Sequence, residues 1–314
     1  MYNIVQHRKW YYLFSGILIL ISLLAMGYSW VTTSSPLQLS IDFTGGAYWE
    51  FDLADAAAPG DIRDVFVEFG LSDTSLTTLG SEGNRYQARL KSIDDETKAS
   101  IEDELGARFG GIDTRQFRNV GPSVGEEVTR AAFMAVLVAS LAILAFIAFA
   151  FRNVPHPARY GFAAIAAMVH DILITLGFVS IMGLVAGWEV DALFLTALLT
   201  VIGYSVQDSI VVFDRIRENT SRYRGEDFET IANRSLLETV HRSVATQLNA
   251  FFIMIAILMF GGDTIKPFIA TMLVGLLSGT YSSIFIAVPL LVSWEMGDLR
   301  RLFGGEKRSQ PATA

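Results

Sequence analysis

The chain has 314 residues, 52% of them apolar and 18% charged, and a formal net charge of -8. Charges gathered into blocks between long apolar runs mark a polytopic membrane protein and exclude a basic nucleic-acid-binding surface. The absence of cysteine excludes structural disulfides, thiolate metal sites and cysteine nucleophiles.

Trp10 to Trp30 carries no charge. Its 21 residues, at about 1.5 Å each, suffice to cross a hydrocarbon core of roughly 30 Å. His7, Arg8 and Lys9 precede it and no small-x-small cleavage site follows, so it reads as an uncleaved anchor with a cytoplasmic N-terminus.

Residues 33–128 read as an extracytoplasmic α+β domain. Strands are expected at Leu37–Asp42 and Gly46–Asp52, on either side of the Gly45-Gly46 pair. A helix follows over Pro59–Phe69, where Ile62, Val65, Phe66 and Phe69 recur at helical spacing. Ser75–Leu79 and Asn84–Leu90 read as strands joined by a turn at Glu82-Gly83-Asn84. Asp94–Phe109 reads as a second helix, and Ile112–Val120 as a last strand. This order predicts a ferredoxin-like sandwich, large enough for a modest core but not for a large enzyme cleft. Gly45 and Gly46 reach backbone angles that a Cβ disfavours, which suits a hairpin turn or a hinge or docking point.

Five further spans are expected: Ala131–Phe151, Ala158 to about Leu184, Ala192–Phe213, Ser243–Gly262 and Pro267–Trp294. Short polar links separate them, including Asn153–Pro157 and the mixed-charge segment 214–242. The division is therefore a first span within 1–32, the domain 33–128, a five-helix bundle over 129–296 and a tail over 297–314. With the N-terminus inside, six spans place 152–159, 214–242 and the tail (Arg300, Arg301, Lys307, Arg308) in the cytoplasm. Those segments with Arg8 and Lys9 hold 14 of the 24 Lys and Arg residues, a positive-inside pattern.

Polar residues inside the spans recur at helical spacing. Asp171 and Thr175 are four apart. Thr196, Thr200, Tyr204 and Asp208 recur every four residues, and Arg242, Thr246 and Asn249 share one helix face. A carboxylate near a helix centre in lipid costs roughly 2.5–3.5 kcal/mol, so these stripes are expected to face one another or a wet cleft. Asp208 lies about six residues, or roughly 9 Å, from its cytoplasmic end, at a depth that allows contact with Arg242. Arginine stays charged while aspartate titrates, which is the requirement of a proton relay; a pair that only locks helices is the plainer alternative. His170 points roughly 100° from Asp171 and is expected to cap or pack. Gly275-Leu-Leu-Ser-Gly279 is a small-xxx-small packing motif, and Pro289 is a candidate kink. There is no P-loop and no hydrolase signature, so a transport subunit without a hydrolytic site is expected. No metal site is expected.

Three segments resemble the SecD/SecF family of bacterial protein-export membrane proteins, and specifically its SecF branch. They are Ile41-Asp42-Phe43-Thr44-Gly45-Gly46, Val169 to Gly177 with its His170-Asp171 pair, and Gly203 to Asn219. The last, GYSVQDSIVVFDRIREN, is similar to the family's GYSxxDxxVVFDRIREN motif and includes Asp214 and Arg215. The resemblance covers nearly the whole chain. It implies a resistance–nodulation–division-type subunit that works with SecD and the SecYEG translocon with SecA, with YajC and YidC as further candidate partners. It also implies a bacterial inner-membrane location, exported polypeptides as clients and no cofactor, with H+ or alternatively Na+ as coupling ion. Carried over by position, Asp208 matches the family's proton-transport aspartate, Arg242 the basic residue opening the fifth span, and Asp171 the third-span aspartate. Gln207, Gln247, Asn249 and Ala250 depart from the usual pattern and put the hydrogen-bond path in doubt. A half-transporter for lipids or small molecules, or a structural assembly factor, is the alternative.

Overall fold

The computed structural model describes residues 3–79, 83–152, 154 and 156–298. Part of the expected turn at Glu82-Gly83-Asn84, parts of Asn153–Pro157 and the basic tail lie outside the described residues. The elements in chain order begin with α1 (Arg8–Thr33), α2 (Ile41–Thr44), β1 (Gly46–Leu53) and α3 (Pro59–Glu68). Next come β2 (Ser75–Leu79), β3 (Arg85–Leu90), α4 (Asp95–Arg108), β4 (Ile112–Val120) and α5 (Pro122–Ala150). Then follow α6 (Pro157–Ala186), α7 (Ala192–Arg222), α8 (Phe228–Phe260) and α9 (Lys266–Ser282), which passes through a π-helical turn (Ser283–Ala287) into α10 (Val288–Glu295). The chain divides into two compact units, Leu39–Ala135 and the remainder.

In the Leu39–Ala135 unit, alternation along β1 sends Ala47, Trp49, Phe51 and Leu53 into the core. Tyr86 and Ala88 of β3, Ile62, Val65 and Phe66 of α3, and Ile101 and Leu105 of α4 close over them. Trp49 stands edge-on to Phe51, Phe66 and Phe117, and its indole N–H donates to Thr114 at 3.0 Å. The strand order is β2-β3-β1-β4 and every pair is antiparallel. With helices after β1 and β3, this is the expected ferredoxin-like topology. The β1–β4 register slips between Glu50 and Phe51, a bulge at Arg115. Asp52 binds Arg85 at 2.8 Å and Arg115 at 2.9 Å beside it.

The expected strand Leu37–Asp42 is not formed: its C-terminal end enters the helical turn α2. The Ser40 hydroxyl accepts from the Asp42 N–H at 3.2 Å, and the Ser40 carbonyl accepts from Phe43 and Thr44. Such local bonds offer the backbone an alternative to a strand ladder. Gly45 and Gly46 (φ 70° and 115°) turn the chain from α2 into β1, so they form a corner and not a hairpin turn. A Cβ on Gly45 would lie 2.9 Å from Pro122 Cα, and one on Gly46 2.8 Å from the Leu90 carbonyl oxygen. Both positions therefore require glycine for space as well as angle.

The other unit contains the long apolar helices, α5 from Val136 onward. Six helical segments, counting α9 to α10 as one, have the length and hydropathy to cross a membrane. Ser15, Ser22 and Ser29 recur every seventh residue along α1 and are buried, and α1 packs on α6. Gly177 of α6 admits Ser22, because a Cβ there would lie 2.2 Å from the serine side chain. Phe151, Tyr160 and Phe213 form an aromatic knot, with Phe151 stacked on Tyr160 at 5.4 Å.

The mixed-charge segment 214–242 is not a loop. α7 continues to Arg222 and α8 begins at Phe228, so both helices extend past their apolar stretches. Arg215 binds Glu238 at 2.5 Å and Glu218 at 2.6 Å, and Asn219 donates to Ser235 and Glu238. These side-chain pairs continue the helical hairpin where apolar packing ends. The Asp227 carboxylate accepts from Thr230 N and starts α8. Further along α8, Asn233 Oδ1 accepts from the backbone N–H groups of Ile4 (3.0 Å) and Val5 (3.3 Å). Arg8 pairs with Glu229 and Asp298. Thus the first turn of the N-terminal helical segment is capped by a side chain from α8.

Candidate functional site

Small residues on α9 bring it against α7. A Cβ on Gly275 would lie 2.2 Å from Val201 Cγ2, and one on Gly279 would lie 3.3 Å from Ser205 Cα. This is the close packing expected of the Gly275–Gly279 motif. It has a chemical result, because Ser278 and Ser282 on α9 then reach Asp171 of α6. Asp171 is fully buried. Its Oδ1 accepts from Ser278 at 2.6 Å and lies 2.9 Å from His170 Nδ1. Its Oδ2 accepts from Ser205 of α7 at 2.5 Å and from Ser282 at 2.6 Å. One carboxyl group thus joins α6, α7 and α9 through four short polar contacts, the satisfaction that a buried polar group inside a membrane bundle requires. The Thr175 hydroxyl donates to the Asp171 backbone carbonyl, not to its carboxylate.

His170 does more than pack. α6 is covered by α1, α7 and α9, so a side chain roughly 100° from Asp171 still points inward. Its ring stacks on Tyr281 at 6.0 Å while Nδ1 meets Asp171.

Asp208 lies one turn after Ser205 on α7 and is 6% exposed. Its Oδ2 accepts from Gln247 Nε2 of α8 at 2.9 Å. The expected contact with Arg242 is not formed. Ser243, Gln247 and Met254 are the buried positions on this part of α8. Arg242 is five residues from Gln247, roughly 140° around the helix, and it is exposed together with Thr246 and Asn249. Arg242 lines a cleft of about 360 Å³ with Asp214, Arg217 and Thr239, and it forms no ion pair among the described residues. The Thr246 hydroxyl bonds the Arg242 carbonyl within its own helix.

The fourth-span stripe also divides. A four-residue step advances roughly 40° past a full turn, so three steps rotate it by roughly 120°. Thr196 and Tyr204 are therefore exposed and Thr200 half-buried, while Asp208 is inside. Thr200 donates to the Thr196 carbonyl. In the DRIREN segment, Asp214 pairs with Arg217 at 2.6 Å, and Arg215 serves the α7–α8 hairpin. Asp42, Phe43, Thr44, Gly45 and Gly46 belong to the other unit. There Asp42 binds Arg118 at 2.5 Å and Thr129 donates to the Phe43 carbonyl.

The site thus contains residues that spacing did not single out: Gln247 beside Asp208, and Ser205, Ser278 and Ser282 around Asp171. The repeat Gly275, Ser278, Gly279, Ser282 is a small-residue stripe legible in the sequence. Serine disturbs hydropathy so little that such a stripe passes for ordinary helix packing.

The chain is similar to known proteins over its whole length. The family model for "Protein export membrane protein SecD/SecF, C-terminal" matches residues 100–297. Proteins named protein translocase subunit SecF from Thermobaculum terrenum and Anaerolinea thermophila are each 44% identical over all of this chain and 99% and 100% of their own lengths. The crystal structure of SecDF, a translocon-associated membrane protein from Thermus thermophilus, superposes with a TM-score of 0.76 at 31% identity. That match covers 94% of this chain and 39% of the SecDF chain, so this chain spans well under half of that protein. With its six apolar helices, its antiparallel sheet and these full-length relatives, the chain belongs to the SecD/SecF family of protein-export membrane proteins.

Proposed function

We propose that this chain is an auxiliary subunit of the bacterial Sec protein translocase, working with a SecD partner to promote proton-motive-force-dependent export of polypeptides. The full-length likeness to translocase subunits SecF supports the translocase role. The SecDF chain, of which this one matches 39%, supports a SecD-type partner for the rest. SecYEG with SecA, and beyond them YajC and YidC, are the further partners that the family resemblance implies. The distribution of Lys and Arg supports cytoplasmic termini and an extracytoplasmic α+β domain in the inner membrane.

The observation that carries the coupling role is Asp208, a buried carboxylate whose one side-chain hydrogen bond among the described residues comes from a neutral amide. A carboxylate in a membrane bundle without a cationic partner is held far more easily as the neutral acid. Changing water access therefore changes its protonation, which is what a proton-driven motion needs. Asp171, with four polar neighbours, is the more firmly held carboxyl group, and it meets Ser205, which lies one helical turn from Asp208 on α7. The proposed coupling ion is H+, with Na+ as the alternative. The test is export into vesicles that contain this chain and its SecD partner, with and without an imposed proton gradient. Asp208→Asn is expected to remove the gradient-dependent increment, and an unchanged increment refutes the coupling role.

A further inference from the structure

Gln247 donates through Nε2 to Asp208 Oδ2 at 2.9 Å, and both side chains are buried, at 4% and 6% exposure. The other half of the same amide, Oε1, is buried and accepts no hydrogen bond among the described residues. The Ser243 hydroxyl, one turn earlier on the same face of α8, is also buried and unpartnered. A buried acceptor without a donor costs about 1–3 kcal/mol. An orphaned oxygen next to a carboxylate therefore needs a source of hydrogen.

The Asp208 carboxylate is not that source, because an ionised carboxylate only accepts. Once protonated, it gains an O–H donor and keeps a carbonyl acceptor. A carboxylic acid and a primary amide are complementary at two points. Nε2–H serves the acid's carbonyl oxygen, and the acid's O–H serves Oε1. We propose that Gln247 is a positioning residue for the proton-bound form of Asp208, holding the neutral acid in this two-point pair and the anion by one bond only. Gln247 does not titrate, so it acts through Asp208 and does not replace it.

The ionisable groups around the pair leave this role to the amide. On α6, His170 and Asp171 are engaged with each other and Asp171 with three serines. On α8, Arg242 faces the open cleft and Glu238 is bound by Arg215 and Asn219. On α7 itself, Asp214 pairs with Arg217 beyond the apolar stretch. On α9, Tyr281 is hydrogen-bonded with Ser15 and with the Tyr11 carbonyl, and Lys266 lies at the helix start; on α10, Glu295 pairs with Arg159.

The inference rests on the proton-coupling reading of Asp208, and the experiment separates the two. Infrared difference spectra between acid and alkaline buffer are recorded on the intact complex with SecD in lipid. The Asp208 carboxyl band is the one lost in Asp208→Asn. Gln247→Met keeps the side-chain length but removes the amide, and is expected to move that band to higher wavenumber because its carbonyl loses a donor. Gln247→Glu is expected to make a carboxyl band persist to a pH higher by about one unit or more, since two carboxyl groups sharing one site resist joint ionisation. An Asp208 band unmoved by Gln247→Met, or a pH range unmoved by Gln247→Glu, overturns the role of Gln247 and leaves the coupling reading standing. A wild-type complex with no Asp208-dependent band at any pH overturns both.

Discussion

The backbone of Gly177 on α6 passes so near Ser22 on α1 that a Cβ at position 177 would lie 2.2 Å from the serine Cβ and 2.6 Å from its Cα. Because the nearest atoms include backbone, no rotamer change relieves the overlap. Gly177→Ala is expected to push α1 off α6 and to destabilise the bundle by about 1–3 kcal/mol, the usual cost of overpacking. Thermal unfolding of the purified protein in detergent measures this. Gly16→Ala on α1, where a Cβ would meet nothing within 4 Å, is the control expected to leave the midpoint unchanged.

Asp171 is predicted to be the most sensitive polar position of the bundle. Asp171→Ala strips Ser205, Ser278 and Ser282 of their shared acceptor and leaves His170 without its partner. Each buried group left unsatisfied costs about 1–3 kcal/mol, reduced where a serine turns to its own backbone. A net loss of about 3 kcal/mol or more is expected, with Asp171→Asn milder because one oxygen remains. The same unfolding measurement ranks the two variants, and an equal effect of both contradicts the four-partner geometry.

The DRIREN segment is expected to act on the α7–α8 hairpin. Asn219 is fully buried and bonds Ser235 and Glu238 across the two helices. Asn219→Ala removes both bonds and is predicted to speed protease cutting at Tyr223–Asp227 severalfold. Arg242→Gln, on the exposed face, is predicted to leave both cutting rate and unfolding within about 0.5 kcal/mol of wild type.

A pH dependence follows for the α+β unit. The Asp52 carboxyl lies below its ordinary value, chiefly through the hydrogen bond from Arg85, with desolvation opposing and Arg115 adding to the shift. Its folded value is below the unfolded value near 3.8, so its contribution to stability is present above that value. It is lost as pH falls through the folded value. Hydrogen exchange of β1 and β3 peptides, corrected for intrinsic exchange, should therefore show weaker protection in acid, and Asp52→Asn should flatten that change.

Ferredoxin-like order and six spans were legible because both rest on periodicity: the alternation of Ala47, Trp49, Phe51 and Leu53, and the length of uncharged runs. The segment around Ile41 departs from the expected strand because a Ser40 side-chain bond, not apolar patterning, decides its conformation. The site was legible in its carboxyl groups and not in their partners. Asp171 and Asp208 stand out by charge alone, whereas choosing between Arg242 and Gln247 requires knowing which side of α8 meets α7. Two faces roughly 140° apart both carried polar residues, and hydropathy does not rank an arginine that faces outward beneath a glutamine that faces inward.

The cap that Asn233 places on Ile4 and Val5 has a consequence for biogenesis. The two ends of that bond are 229 positions apart. At typical elongation rates the ribosome needs roughly 10–45 s to travel between them. During that interval the first helix is already made while the side chain that finishes its amino end has not been synthesised. Truncated nascent chains ending before Asn233 should then leave the N-terminal residues open to protease, and chains that extend far enough for α8 to fold should protect them.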